Sequence, residues 1–228
     1  MSPKALILCL NVGQINNERY DFLKRATTKE RRYKAARYFR LEDKIRCVIA
    51  EVLLKYAVYL YTGKVIDIAY SYNKYGKPFL KNCHNLNFNI SHSGEWVVVA
   101  VGKSQIGIDV EDKKENWDLV GEKVFSEYEK HWSQNSPKKK AILWTIKEAY
   151  VKYLGIGLSK GMDSFSIDLK KKIITEVQEP YQTKFDSFVV DDDYVCSECG
   201  YAKGSYYNRK VYQTEIDAFI TLILDGFY

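Results

Sequence analysis

Proline and glycine are scarce in this chain of 228 residues, at four and 13, which excludes a collagenous or low-complexity polymer. No apolar run approaches the ~20 residues that a membrane-spanning helix needs, so an integral membrane protein is not expected. Cysteine is sparse and odd in number: Cys9, Cys47, Cys83, Cys196 and Cys199 lie mainly in apolar stretches. That pattern suits reduced thiols in the cytoplasm better than a disulfide framework. The stretch from Ala5 to Val12 runs into polar Gln14-Ile15-Asn16-Asn17 without a small-residue cleavage site, and reads as a strand rather than a signal peptide. What is present is a globular composition. Hydrophobic residues make up 46% of the chain, enough for a real core and too many for a disordered protein. At about 150 residues per domain the length allows one large domain or two small ones.

The formal charge of +6 is unevenly placed. The first 60 residues hold 13 Lys and Arg against 6 Asp and Glu, and the remainder balances at −1. Most of the basic groups lie between Lys24 and Arg46, a concentrated positive face that suits an anionic ligand. A solvated helix face is the plain alternative. Tyr33, Tyr38 and Phe39 interleave aromatics with the bases, as in nucleic-acid binders, but +6 is weak for that purpose.

Helical spacing of Ile45, Val48, Ile49, Val52, Leu53 and Tyr56 predicts a helix from about Asp43 to Tyr61, stopped by Gly63. Strands are expected at Val65–Tyr72, in LNFNI, in WVVVAVG and in QIGIDVED, with turns at YGKPFL and SHSGE. VFSEYEKHW predicts a short helix, and Lys138 to Leu154 a longer one closed by Gly155. The remainder reads as strands: SFSID, KKIITEV and a final DAFITLIL. Ile49, Glu51, Lys55 and Tyr56 repeat as Ile146, Glu148, Lys152 and Tyr153 at an offset of 97 residues. Ancient duplication and chance likeness of two amphipathic helices both account for that match. Under duplication the chain is two α+β lobes meeting near Lys103, a usual place for a ligand site.

Alternation in QIGIDVED puts Asp109 and Glu111 on one face, about 6–7 Å apart at the backbone. A solvent-facing sheet edge tolerates such a pair, and a divalent cation gives a reason for it, because Mg²⁺ is shared between one or two carboxylates and substrate phosphates. Glu148 and Lys152 stand at i and i+4. By themselves they are a surface ion bridge, but flanking Trp144, Ala149, Val151 and Leu154 imply a largely buried helix that carries charge toward an interior cleft.

IGIDVE, then FSEYE, then WTIKEAYVKYLGIGLS, preceded by YGKP and NISHSG, resemble the signature of the 4′-phosphopantetheinyl transferases, in particular their surfactin-synthetase-activating (Sfp-type) branch. The likeness spans about Arg31 to Ser166. It implies an α+β fold of two similar lobes in one chain, a pseudo-dimer with lobes at 1–103 and 104–228 and the active site at their junction. It also implies transfer of the 4′-phosphopantetheine arm from coenzyme A to a serine of an acyl, aryl or peptidyl carrier protein, with release of adenosine 3′,5′-bisphosphate. By motif match Asp109, Glu111 and Glu148 are expected to bind Mg²⁺, with Lys152 and Asp109 toward the diphosphate. Arg31, Lys34, Arg46, Lys77, Ser91 and His92 are expected to contact coenzyme A. An isolated SHSG is more often just a turn, so His92 rests on the resemblance. The base for the carrier serine is either Glu148 or a water positioned by Glu129. A cytoplasmic monomer without nucleic-acid or membrane partners is expected.

Beyond Asp168 the likeness fades. The segment from Gln178 to Lys210 is longer than expected, and a mobile hairpin or a carrier-specific contact would suit it. Its CSECG is a single CxxC, half of a zinc ribbon with only Cys83 and His84 as an adjacent candidate pair; two unpaired thiols are the plainer reading.

Overall fold

The computed structural model describes residues 5–157, 161–176, 182–200 and 206–225. The end of the WTIKEAYVKYLGIGLS motif, at 158–160, and parts of the late insert, at 177–181 and 201–205, lie outside the described residues. The chain opens with β1 (Ala5–Asn11), α1 (Asn17–Arg25), α2 (Lys29–Ala36) and α3 (Leu41–Thr62). A small hairpin of β2 (Tyr70–Tyr72) and β3 (Pro78–Leu80) follows, then β4 (Asn87–Ser93) and β5 (Trp96–Gly102). The second half runs β6 (Gly107–Asp112), α4 (Asp118–Val124), α5 (Glu127–Ser133), α6 (Pro137–Leu154), β7 (Phe165–Asp168), β8 (Ile173–Glu176), β9 (Thr183–Val189) and β10 (Tyr194–Cys199). It closes with β11 (Tyr206–Val211) and α7 (Gln213–Leu224).

The two halves repeat one plan. In the first, β5 lies between β1 and β4; in the second, β10 lies between β6 and β9, all antiparallel. Each half adds a hairpin and one long helix ended by a left-handed glycine, Gly63 or Gly155. This shared order decides between duplication and chance in favour of duplication. The alternating face of β1 and β5 that carries Leu6, Leu8, Leu10, Val97, Val99 and Val101 packs under α3. Their opposite face, with Ile7, Cys9, Val98 and Ala100, meets Ile106, Ile108, Val110 and Cys196 of the second sheet. That apolar layer joins the lobes.

Several expectations shift. DAFITLIL is the larger, C-terminal part of helix α7 and not a strand: Ile216, Phe219 and Ile220 are buried at helical spacing, and Glu215 caps the Tyr212 amide. The tail, expected with the second lobe, packs on the first: β11 pairs parallel with β1, and Phe219 stacks beside Tyr56 and Tyr59. Of Val65–Tyr72 only the last three residues are strand, and Pro78–Leu80 of the expected turn is strand. The SHS of SHSGE continues β4. The short helix expected over VFSEYEKHW divides between the end of α4 and α5, because Ser126 starts a new helix with a capping box.

The described part of the late insert is no peripheral hairpin; its β10 is a central strand of the second sheet. Cys196 and Cys199 stand three apart on that strand and so face opposite sides, in two different cores, which removes the half-zinc reading. All five cysteines are free, and burial pushes Cys9 up to about 12 and Cys196 and Cys199 well above the ordinary range. No helix among the described residues is long and apolar enough to cross a membrane.

Strand β6 lies unusually close to α6. A Cβ on Gly107 would stand 1.9 Å from the Ala149 carbonyl oxygen and 2.4 Å from the Tyr153 nitrogen, both backbone atoms that cannot swing away. Gly107→Ala is therefore expected to lower the stability to urea by about 3 kcal/mol; a variant as stable as the parent would contradict this packing.

Candidate functional site

Three elements supply the charged groups. Strand β6 carries Asp109 and Glu111 on its α6-facing side, α6 carries Glu148 and Lys152 one turn apart, and β4 reaches across from the first lobe. Lobe contact here relies on side chains. The alternating polar residues of β4 meet β6 in order: Asn89 Oδ1 accepts from the Ile108 amide at 3.0 Å, Ser91 from the Val110 amide at 3.4 Å, and Ser93 hydrogen-bonds the Glu111 carboxylate. This alternation of Asn89, Ser91 and Ser93 along β4 was a sequence signal that motif reading passed over.

Lys152 Nζ donates to Asp109 Oδ1 at 2.6 Å and to Ser91 Oγ at 2.9 Å, while the Ser91 hydroxyl donates to the same Asp109 oxygen at 2.7 Å. Asp109 is 2% exposed, and its Oδ2 has no partner. Burial alone would lower Lys152, but the charge and hydrogen bond of Asp109 more than offset it and hold the ammonium above its ordinary value. Burial and then the Asp109 charge push the Glu111 carboxyl up to about 7, and the same two causes raise Glu148. The group thus has more negative charge than Lys152 neutralises, with one buried carboxylate oxygen unsatisfied.

Beside it lies a cavity of about 310 Å³ between the lobes, lined by Lys77 and Gly76 of the hairpin turn, Phe88 and Ile90 of β4, and Glu148 and Lys152 of α6. His92, near the end of β4, keeps part of its surface in solvent, while partial desolvation of its ring, then the charges of Arg46 and Lys152, lower its pKa. Arg46 donates to the Gly94 carbonyl at 2.7 Å and pairs with Asp43. Asp109, Glu111, Glu148, Lys152, Ser91, His92 and Arg46 therefore come together.

Other expected residues do not join them in the same way. Lys34 is exposed on α2. Arg31 turns inward: its Nε pairs with Glu51 at 3.2 Å and its guanidinium donates to the Tyr70 hydroxyl at 3.0 Å. Lys77 Nζ is bonded to backbone carbonyls.

Glu129 stands in a different setting. It is 0% exposed, its Oε2 accepts from the Ser126 amide at 2.8 Å within the capping box of α5, and it pairs with fully buried Lys147 at 3.1 Å. A carboxylate so enclosed is part of the second lobe's core, and its other oxygen, Oε1, is buried without a hydrogen-bond partner. The sequence signal was available: Ser126 and Glu129 have capping-box spacing.

Among the described residues no three His, Cys, Asp or Glu side chains form a ready metal cage. The donor chemistry still fits a hard cation: the orphaned Asp109 oxygen and two carboxylates raised by burial and by the Asp109 charge are oxygen ligands short of positive charge, and Mg²⁺ needs only one or two protein carboxylates when phosphates supply the rest.

Two family models divide the chain: the 4′-phosphopantetheinyl transferase superfamily matches residues 105–199, and the N-terminal model of 4′-phosphopantetheinyl transferases matches 14–104. The chain belongs to the 4′-phosphopantetheinyl transferases. It is 31% identical over 225 residues to the 4′-phosphopantetheinyl transferase gsp of Aneurinibacillus migulanus, covering 94% of this chain and 92% of the relative. It is 31% identical over 198 residues to the 4′-phosphopantetheinyl transferase Sfp of Bacillus subtilis strain 168, covering 82% and 87%. A fungal relative, the L-aminoadipate-semialdehyde dehydrogenase-phosphopantetheinyl transferase of Candida glabrata, is 30% identical over 69% of this chain and 67% of its own. The Sfp-type, two-lobed reading of the sequence stands, and this transferase carries its acidic site where the two family halves meet.

A group whose folded pKa is raised contributes stability that is fully present below its unfolded value and lost as pH rises through the folded one. Glu111, ordinarily near 4.5, is held at about 7, and Glu148 adds to the same trend. Metal-free protein is therefore expected to lose stability to urea between about pH 5 and 8, and Glu111→Gln to flatten that slope. An unchanged slope in the variant would contradict the environment assigned to Glu111.

Proposed function

We propose that this transferase moves the 4′-phosphopantetheine arm of coenzyme A onto a serine of an apo acyl, aryl or peptidyl carrier protein with Mg²⁺, releasing adenosine 3′,5′-bisphosphate. The observation that carries the reading is the Lys152–Asp109–Ser91 group at the lobe junction, a cation and an unsatisfied carboxylate oxygen set beside an interlobe cavity. Asp109, Glu111 and Glu148 would hold the metal, which when bound supplies charge neutralisation and polarisation of phosphate oxygens.

The residues then divide the work. The Lys152 ammonium, fixed by Asp109 and Ser91, faces the coenzyme diphosphate and stabilises charge on the departing bisphosphate oxygen. Glu148, whose affinity for a proton is raised by burial and by the Asp109 charge, takes the proton of the carrier serine as its oxygen bonds to phosphorus and the bond to the leaving bisphosphate breaks. With Glu129 enclosed, Glu148 is the base of the two that sequence left open. Arg46 and Lys34 supply positive charge for the coenzyme's phosphates, His92 supplies an imidazole N–H, and Ser91 acts by holding Lys152. Arg31 reaches a phosphate only by leaving Glu51, so its contribution to coenzyme binding is the smallest of the basic set. The basic first lobe also attracts carrier proteins, which as a class are acidic. A cytoplasmic monomer without nucleic-acid or membrane partners completes the proposal.

Intact-mass measurement of apo acyl and peptidyl carrier proteins incubated with the enzyme, coenzyme A and Mg²⁺ is expected to show gain of one phosphopantetheine that EDTA abolishes. Asp109→Ala and Glu148→Ala are expected to lower the rate by about 10²-fold or more. Full activity in either variant would remove that residue from the site, and transfer undiminished by EDTA would remove the metal.

A further inference from the structure

Lys77 belongs to the turn between β2 and β3, next to Gly76, whose φ of +86° is the left-handed conformation that glycine adopts freely. Its Nζ donates to the carbonyl oxygens of Lys152 at 2.5 Å, Tyr153 at 3.2 Å and Ile106 at 3.5 Å. An ammonium has three N–H groups, and these three carbonyls take them. Beside it, Asn73 Nδ2 donates to the Gly155 carbonyl at 2.7 Å, while Asn73 Oδ1 accepts from the amides of Tyr75 and Lys77, each at 2.9 Å. Gln105 donates to the Tyr153 carbonyl as well.

The last carbonyls of a helix lack partners within it and carry partial negative charge. In α6 they are covered from the other lobe, by a cation and an amide on one rigid turn. Gly155 makes room for this: a Cβ there would lie 2.6 Å from Lys77 Cδ, and its φ of +70° already ends the helix. The contacts fall at decisive places, on Lys152 itself and on Ile106, three residues before Asp109. Among the described residues no carboxylate pairs with it, and burial lowers Lys77 to about 8.

We propose that Lys77, assisted by Asn73, is a positioning residue: a clamp from the first lobe that holds the end of α6 and the start of β6, and so sets Glu148 and Lys152 against Asp109 and Glu111. The inference rests on the transferase reading of that site and replaces the coenzyme contact that resemblance assigned to Lys77.

Two measurements on the full chain test it: amide hydrogen exchange of the ligand-free protein at pH 7, and kcat with the coenzyme A dissociation constant from calorimetry. In Lys77→Met, exchange in the final turn of α6 is expected to quicken at least tenfold while the first half of the helix is unchanged. The kcat is expected to fall about tenfold with coenzyme affinity within twofold, and Lys77→Arg to recover part of both. A tenfold weaker coenzyme affinity with unchanged exchange and kcat would make Lys77 a coenzyme contact and overturn the clamp. Unchanged values throughout would also overturn it. Should Lys77→Met not fold, Asn73→Ala is expected to quicken final-turn exchange about threefold, and unchanged exchange there counts against the clamp. Absence of transfer by the unaltered enzyme would sink the transferase reading alone, since the exchange result stands without activity.

Discussion

An aspartate withdrawn from water and answered by one partly exposed lysine, with one serine hydroxyl between them, is the constraint on which this structure turns. Removing a carboxylate from water costs several kcal/mol, and it is tolerable only when its partner is well placed and hydrogen bonds satisfy it. Lys152 comes from α6, Asp109 from β6 and Ser91 from the opposite lobe, so the pair forms only if three elements meet at fixed distances. Gly107 lets strand and helix backbones touch, the polar residues of β4 stand in for a missing backbone ladder, and the apolar layer between the sheets holds the lobes together. The carboxylate oxygen left without a partner is the cost of this arrangement and also its chemical capacity.

Duplication explains why there is one such site and not two. Glu51 and Lys55 are the first-lobe counterparts of Glu148 and Lys152. There the glutamate binds the Thr28 amide and Arg31, and the lysine donates to the Ala26 carbonyl, so both serve to seat α2 on α3. In the second lobe the equivalent seating of α5 on α6 falls to Glu129 and Lys147, with the charges reversed. Handing that structural duty to a different pair leaves Glu148 and Lys152 available for chemistry. The first lobe's copy is further committed by the tail, whose β11 and α7 cover β1 and α3.

Local pattern carried much of this in the sequence. The alternation of Ile106, Ile108 and Val110 with Gly107, Asp109 and Glu111, the periodicity of α3 and α6, and their closing glycines are properties of a few neighbouring residues, and they placed two carboxylates, a third and a lysine correctly on their elements. What was not legible depends on partners far along the chain. Nothing near Arg31 says that Glu51, twenty residues on, will take its guanidinium, nor that the carbonyls of α6 will take the ammonium of Lys77. Nothing next to Glu129 shows that it will be enclosed, because the lysine that pairs with it is in the next helix. DAFITLIL was misread for a different reason: a short apolar run fits strand and buried helix alike, and the cap at Tyr212 and Glu215 that decides between them lies outside the run.

The most direct test is a double-mutant cycle of Asp109→Asn and Lys152→Met, followed by urea unfolding of the ligand-free protein. If this ion pair organises the junction, Lys152→Met alone strands the buried Asp109 carboxylate and costs about 3 kcal/mol, and the double variant recovers much of it, giving a coupling of about 2 kcal/mol. Additive effects, with no coupling beyond about 0.5 kcal/mol, would show that the two residues stand near each other without depending on one another.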